Sequence, residues 1–245
     1  MAGISWVDYE TLNNANKKKD YNRHLFSIVA PKYNFLTRLM SLNNDQHWKK
    51  HLISWIPAVI DNAVFLDIAS GTGDLPLQIR KTFPQSTIIS SDLSIEMFKA
   101  GTNMRNSWFT ICNDMCHLPI ANSTIDFVTG SYALRNAPDL KSCIKEVYRV
   151  LKPNGKVLFL DFSKSSNSTF GLFQKTVLTL WGCFLGVVIH QNPAVYGYIA
   201  KSLAAFPDRK KLRELFIENG FKIRREKLIF CGFIHLFEAT KCRDS

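Results

Sequence analysis

Val64-Phe65-Leu66-Asp67-Ile68-Ala69-Ser70-Gly71-Thr72-Gly73-Asp74 is the stretch whose reading decides the fold. Its first half is apolar and short, the pattern of a parallel strand covered on both faces. Gly71 and Gly73 then take the Cβ away where the backbone must turn sharply and let a ligand come close. The residues after Gly73 open a helix, whose first N–H groups have no partner of their own and face whatever sits at the turn. The guest that such a turn predicts is a nucleotide-like cofactor.

A dinucleotide fingerprint would be G-x-G-x-x-G opening the helix. Here the third glycine position is Pro76, which the first helical turn tolerates but which gives no close helix–strand contact. Asp67 precedes the glycines instead. The resulting D-x-A-x-G-x-G pattern resembles motif I of class I S-adenosylmethionine-dependent methyltransferases. On the motif alone, a glycine turn without a ligand is the competing reading.

Outward from this stretch the chain alternates. A helix from about Leu75 to Thr82 leads to a strand at Thr87–Ser90 that ends at Ser91-Asp92. Ser94 caps the next helix. Strands follow at Phe109–Cys112 and Ile125–Thr129. A helix over Leu140–Leu151 stops at Lys152-Pro153-Asn154-Gly155, and a fifth strand spans Lys156–Phe162. Strand and helix in alternation predict an α/β fold with a mostly parallel sheet and helices on both faces.

Before the sheet, Phe26–Met40 and about Asp45–Trp55 read as helices that cap it, the second broken by Pro57. Residues 1–20 read as a flexible polar arm and 21–245 as one domain. After strand five the alternation stops for a helical insertion. Thr176–Ile189 carries no charge and is shorter than the roughly 20 residues of a bilayer span. Helices at Tyr196–Phe206 and Leu212–Asn219 come next. Two long strands, Phe221–Phe230 and Gly232–Thr240, complete seven.

The 245 residues, 46% of them hydrophobic, suffice for one sizeable core. The net charge of +11 fits nucleic acid, an anionic membrane surface or a basic soluble protein. The basic residues lie in small clusters without interleaved aromatics, so no nucleic acid is expected. The six cysteines are irregularly spaced and read as reduced thiols. Cys112, Cys116 and His117 lack a second ligand pair at zinc spacing, so no metal is expected. Met1–Asp20 has no apolar signal core, which points to the cytoplasm.

The candidate site residues stand at strand ends, where ligands of open α/β sheets bind. Asp92, about 20 residues past the glycine turn, is placed to accept hydrogen bonds from ribose hydroxyls. Its alternative is a charge at a helix N-terminus. Asn113-Asp114 ends strand three, within reach of an adenine amino group, whereas Asp126 at the opposite edge reads as structural. After strand four, Gly130-Ser131-Tyr132-Ala133-Leu134-Arg135-Asn136-Ala137-Pro138 puts Arg135 and Asn136 over the reactive end of the cofactor. A capping loop with a salt-bridged arginine is the alternative.

Four signatures in this order resemble the ubiquinone/menaquinone biosynthesis C-methyltransferase family, from about Tyr21 to Lys241. They are Phe26…Ala30-Pro31-Lys32-Tyr33…Trp48-Lys49; the Leu66–Asp74 glycine motif; Leu134-Arg135-Asn136 with Tyr148-Arg149-Val150-Leu151-Lys152-Pro153; and Tyr196…Tyr198…Ser202…Phe206-Pro207-Asp208…Gly220-Phe221. The resemblance implies a class I (Rossmann-like) methyltransferase fold. It implies S-adenosylmethionine contacts at Thr72, Asp92, Asn113, Asp114 and Ser131, beside the turn residues Gly71 and Gly73. The chain departs from the family's usual pattern at Asn34 (Asp), Thr37 (Asn), Asp114 (Ala), Asp161 (Glu) and within Asn43–His47.

The reaction so implied methylates a ring carbon of a prenylated quinol, demethylmenaquinol or the related benzoquinol. Arg135 is expected to stabilise the forming phenolate, since arginine rarely gives up its own proton. A water held by Arg135, Asn136 and Tyr33 is expected to relay the proton. His190 is a spare base. The apolar run Thr176–Ile189 reads as a channel for the isoprenoid tail facing the membrane surface, as a homodimer interface or as plain core. An RNA methyltransferase and a non-catalytic subunit of a quinone-synthesis complex are the alternatives. The first lacks a flipped-base motif; intact Thr72, Asp92 and Arg135 argue against the second.

Overall fold

The apolar run at Val64–Ile68 forms β1, with β2 (Thr87–Asp92) and β4 (Ile125–Ser131) parallel on either side of it. The computed structural model describes residues 5–58, 62–101, 108–165 and 167–242, apart from the side chains of residues 168, 190, 195 and 196. Parallel pairing extends through β3 (Phe109–Cys112) on one side and β5 (Leu151–Phe162) on the other. The antiparallel hairpin of β6 (Phe221–Ile229) and β7 (Ile234–Lys241) closes the sheet, giving the order β3-β2-β1-β4-β5-β7-β6. The order reverses between β1 and β4, so the carboxyl ends of β2, β1 and β4 converge on one crevice.

The helices are α1 (Tyr9–Asn13), α2 (Ala15–Val29), α3 (Tyr33–Met40), α4 (Asp45–Ile53), α5 (Asp74–Thr82), α6 (Ile95–Ala100), α7 (Leu140–Val150), α8 (Ser168–His190), α9 (Ala194–Ala205) and α10 (Arg209–Glu218). Alternate strand residues feed two cores, as the period of two requires. Phe65, Ile88, Phe127 and Leu158 pack with Trp48 and Leu52 of α4 and Leu75 and Ile79 of α5. Leu66, Val128 and Phe159 pack with Ile144 and Val147 of α7 and Phe216 of α10 on the other face. A third core joins Leu25, Val29 and Leu36 of the N-terminal helices to Leu185 and Tyr198 of the insertion.

Four segments differ from the reading of the sequence. The turn expected at 152–155 lies within β5, as an irregularity between the Ile125–Leu151 and Phe127–Lys156 pairs. Residues 5–20, expected as part of a flexible arm, form α1 and the start of α2. Val7 and Leu12 are buried, and Lys201 donates to the Val7 carbonyl at 2.8 Å while its ammonium sits 4.8 Å from the Trp6 ring. A few apolar anchors in a polar stretch suffice to dock it. The single helix expected over Phe26–Met40 is broken by a 3-10 turn at Ala30–Lys32, because Pro31 has no N–H to continue α2. Finally, α8 runs beyond the uncharged stretch, and over 169–189 it is long and apolar enough to cross a membrane by length and composition. Its Gly186 serves close packing: an added Cβ would come within 2.6 Å of the Asn192 carbonyl oxygen.

Candidate active site

The glycine turn is built on backbone that side chains resist. Gly71 and Gly73 have φ of +60° and +88°, and an added Cβ at Gly71 would meet Met97 Cε at 3.1 Å and Tyr33 Cε1 at 3.8 Å. Ala69, at the end of β1, and Tyr132, at the end of β4, also hold positive φ. Both strand ends that face the crevice are therefore strained, as is common where backbone is shaped for a ligand. Asp67 lies beneath the turn. It accepts from Thr129 Oγ1 at 2.6 Å, and burial pushes its carboxyl up to about 7.

Asp92 closes the turn from β2. Its Oδ2 accepts from Gly71 N at 2.7 Å and its Oδ1 from Ser94 N at 2.9 Å. Two bonds leave lone pairs free on both oxygens. Burial pushes this carboxyl up to about 6, against the pull of the Ser94 and Gly71 N–H groups. Asp92, Gly71, Asn113, Asp114 and Ser131 line one narrow cleft of about 40 Å³, together with Asn22 and Phe26 of α2, which lies over it. At the β3 end, Asn113 Oδ1 accepts from Ser91 Oγ at 2.7 Å, and Asp114 Oδ1 accepts from Cys116 N at 2.9 Å.

A second cavity of about 640 Å³ opens beside the cleft. Leu25, Val29, Leu36, Trp181 and Phe233 are among its apolar walls. Phe26, Tyr33, Tyr132 and Asn136 line both the cavity and the cleft, so one thin wall separates the two. Burial raises the pKa of Tyr33, which keeps its hydroxyl protonated at neutral pH. Asn136 is held on three sides. Its Nδ2 donates to the Tyr132 carbonyl at 2.7 Å, its Oδ1 accepts from Tyr198 Oη at 3.0 Å, and its carbonyl accepts from Asn22 Nδ2 at 2.8 Å.

Arg135 brings a charge into this apolar space while only 4% exposed. Its backbone N–H donates to Asp161 Oδ2 at 3.1 Å and its Nη1 donates to Ser202 Oγ. The guanidinium carbon stands 5.4 Å from the Phe162 ring centre and 5.7 Å from that of Tyr198, a cation–π sandwich. Its Nε, 3.8 Å from Asp161 Oδ1, is beyond hydrogen-bond reach and has no partner among the described residues. Burial pushes the Asp161 carboxyl up, while Arg135 pulls it down.

The structure thus gathers Gly71, Asp92, Asn113, Asp114, Ser131, Tyr33 and Asn136 around the cleft. It sets Arg135 on the cavity side of the shared wall rather than over the cleft. Thr72 is turned away: its hydroxyl donates to Asn34 Oδ1 at 2.5 Å. Gly73 backs onto the Trp108 ring. The His190 side chain lies outside the described residues. Asp126 is structural as expected, accepting from Val64 N at 2.9 Å and from Lys152 at 2.8 Å. Cys116 is buried and donates to the Asp139 carbonyl.

Reading the sequence missed Asn22, Tyr132 and the buried cluster of Lys49 with Asp45 and Asp74. Asn22 and Phe26 share a helix face by their spacing of four, which was the available signal. Asp45 and Lys49, four apart on α4, carried a local signal for half of the ion cluster; Asp74 did not, because it comes from a different element.

The strand order, the glycine turn after β1 and the acid ending β2 define a class I S-adenosylmethionine-dependent methyltransferase. The chain belongs to the ubiE/COQ5 methyltransferase family, whose model matches residues 13–241. Among relatives, the ubiquinone/menaquinone biosynthesis C-methyltransferase UbiE of Rickettsia typhi is 32% identical over 98% of this chain and 97% of its own. The demethylmenaquinone methyltransferase of Thermus thermophilus is 31% identical over 84% and 95%. The fold also resembles a SAM-dependent methyltransferase from Aquifex aeolicus, with a TM-score of 0.56, 12% identity and coverage of 84% and 97%. A Haemonchus contortus phosphoethanolamine N-methyltransferase, solved with S-adenosylhomocysteine, gives a TM-score of 0.58 at 14% identity, covering 80% of this chain and 53% of that one.

Proposed function

We propose that this chain transfers the methyl group of S-adenosylmethionine to a ring carbon of a prenylated quinol. Demethylmenaquinol is the favoured substrate and the benzoquinol of ubiquinone synthesis the other member of the class. The observation that carries the reading is Arg135, a buried cation with an unpartnered Nε on the wall of an otherwise apolar cavity. Such a cavity suits a greasy ring and tail, and such a cation suits an oxygen that becomes negative. The names of the Rickettsia and Thermus relatives agree with this substrate class.

The residues of the cleft fit S-adenosylmethionine. The Gly71 turn leaves room where a Cβ would strike Met97, and Asp92 keeps lone pairs for ribose hydroxyls. Asn113 and Asp114 are the residues for the adenine end and Ser131 for the other end, while Thr72, bonded to Asn34, stays out of the cleft. When bound, the group supplies a methyl on a cationic sulfur. The cleft is narrow, about 40 Å³, so taking up the co-substrate requires its walls to move apart.

In the cavity, loss of a ring-hydroxyl proton would push electron density onto the neighbouring carbon; that carbon would bond the methyl as the methyl–sulfur bond breaks and S-adenosylhomocysteine leaves, and would then give up its own hydrogen as a proton to restore the aromatic ring. Arg135 holds the resulting negative charge, and its sandwich between Phe162 and Tyr198 keeps the guanidinium in place. Asn136 and Tyr33, on the shared wall, orient the ring and a water that takes the proton. Holding the partners in line supplies much of the rate.

The cavity opens onto a greasy surface. Leu172, Phe173, Leu180, Phe184 and Val188 are exposed along one side of α8, while Leu178 and Leu185 on the other side are buried. Phe173 and Val177 line the cavity as well. This pattern suits a helix lying in a membrane interface rather than crossing it. The net charge of +11 adds attraction to anionic lipid on the cytoplasmic leaflet.

The test is to incubate the protein with S-adenosylmethionine and, separately, demethylmenaquinol, the benzoquinol and RNA, then weigh the products. A quinol that gains one methyl supports the reading. Methylated RNA with unmodified quinols overturns it.

A further inference from the structure

Asn22 sits in the middle of α2 and is 2% exposed. Its Nδ2 donates to the backbone carbonyl of Asn136 at 2.8 Å. A carbonyl only accepts, so this bond fixes which end of the amide is nitrogen. The other end, Oδ1, is buried and has no hydrogen-bond partner among the described residues. A buried acceptor without a donor is rare and costly, and each one calls for a reason. The residue stands on the wall of the narrow cleft with Asp92, Gly71 and Ser131, and is absent from the wall of the apolar cavity. What is missing is therefore a donor from whatever occupies the cleft.

The sheet says which part of that occupant. Along the cleft the strand ends follow in the order β3, β2, β1, β4. Asn113 and Asp114 at β3 and Asp92 at β2 mark the nucleoside end. Asn22 is tied to the turn after β4, beyond the glycine loop, at the opposite end. Resting on the reading of the cleft as the S-adenosylmethionine site, we infer that Asn22 is a further binding residue, its amide oxygen accepting from the α-ammonium of the amino-acid half. The hydrogen bond to Asn136 makes it a link as well. The residue that meets the co-substrate also holds the turn that carries Arg135.

The experiment is calorimetric titration with S-adenosylhomocysteine and with 5′-methylthioadenosine, which keeps the adenosine and the sulfur but lacks the amino-acid group. Wild type, Asn22→Leu and Asn22→Asp are compared, with melting curves of the free proteins as the check on folding. Asn22→Leu is expected to weaken S-adenosylhomocysteine about tenfold or more and to leave 5′-methylthioadenosine within about twofold. Asn22→Asp keeps the acceptor but loses the bond to the Asn136 carbonyl, so it is expected to weaken both ligands alike and to keep the preference for S-adenosylhomocysteine that Asn22→Leu loses. In Asn22→Leu, equal losses for both ligands, or none for either, overturn the assignment. If Asn22→Leu does not fold, Asn22→Asp decides, and a tenfold loss there of S-adenosylhomocysteine relative to 5′-methylthioadenosine overturns it. Wild type that binds neither ligand overturns the reading of the cleft itself.

Discussion

Lys49 Nζ stands 2.8 Å from Asp74 Oδ2, and this pair fastens α4 of the N-terminal cap to the first turn of α5, directly behind the glycine turn. Asp45 adds a second carboxylate at 3.2 Å, and Gln46 Nε2 donates to Asp74 at 2.7 Å. The Lys49 side chain is 3% exposed. Removing one partner of such a pair leaves the others charged and buried. Lys49→Met is therefore expected to lower unfolding stability by about 3 kcal/mol or more, read by urea titration. A change under about 0.5 kcal/mol, the scale of an ordinary surface substitution, would show that the cap is not held there.

Arg135 is assigned to the reaction and not to the co-substrate, and the two are separable. Arg135→Ala is expected to cut methyl transfer about a hundredfold or more while S-adenosylhomocysteine affinity stays within about threefold. Arg135→Lys restores little, because an ammonium cannot reproduce the flat sandwich between Phe162 and Tyr198. Transfer at the wild-type rate in Arg135→Ala would remove the residue from the mechanism.

On the proposed reading of the cleft, Asp92 is expected to give co-substrate binding a pH dependence. Burial raises its pKa to about 6, so the ionised carboxylate stands above that pH and the neutral acid below it. Ribose hydroxyls bond better to the charged form. Affinity for S-adenosylhomocysteine is therefore expected to fall as the pH drops from 8 to 5 through about 6. Asp92→Asn should flatten the profile at a lower affinity. Equilibrium dialysis at the two ends reads both, and a flat wild-type profile would contradict the role.

The exposed side of α8 predicts lipid binding. Wild type is expected to float with vesicles containing anionic lipid, and Leu180→Glu with Phe184→Glu to abolish flotation while leaving the melting midpoint within a few degrees, since both side chains face outward. Should the double variant instead convert a dimer to a monomer in sedimentation without any change in flotation, a second copy covers this face and the bilayer does not.

Much of this could be read from local pattern. The glycine turn, all seven strands and Asp92 follow from short-range rules, because each is a run of apolar residues or a residue at a strand end. What could not be read depends on segments that meet only after folding. Arg135 belongs to the right loop, yet its side chain points to the cavity because Ser202 of α9 accepts from it and the Phe162 and Tyr198 rings pack against it there. The arm expected over residues 1–20 is docked by Trp6, Val7 and Leu12, three anchors that a polar composition conceals. Asn22 is a polar residue on an amphipathic helix until Asn136, from the turn after β4, meets it.

The mouth of the cavity has its own consequence. Leu42, Phe173 and Phe230 line it and are also exposed, so the recess has a floor at Arg135 but no far wall. A chamber open at one end has no ruler. On the proposed reading it inspects the head group and ignores how many isoprene units trail behind, which stay in the bilayer throughout. On that reading the substrate is tipped inward by its ring without being extracted. One such enzyme would then serve quinol pools of any tail length without retailoring.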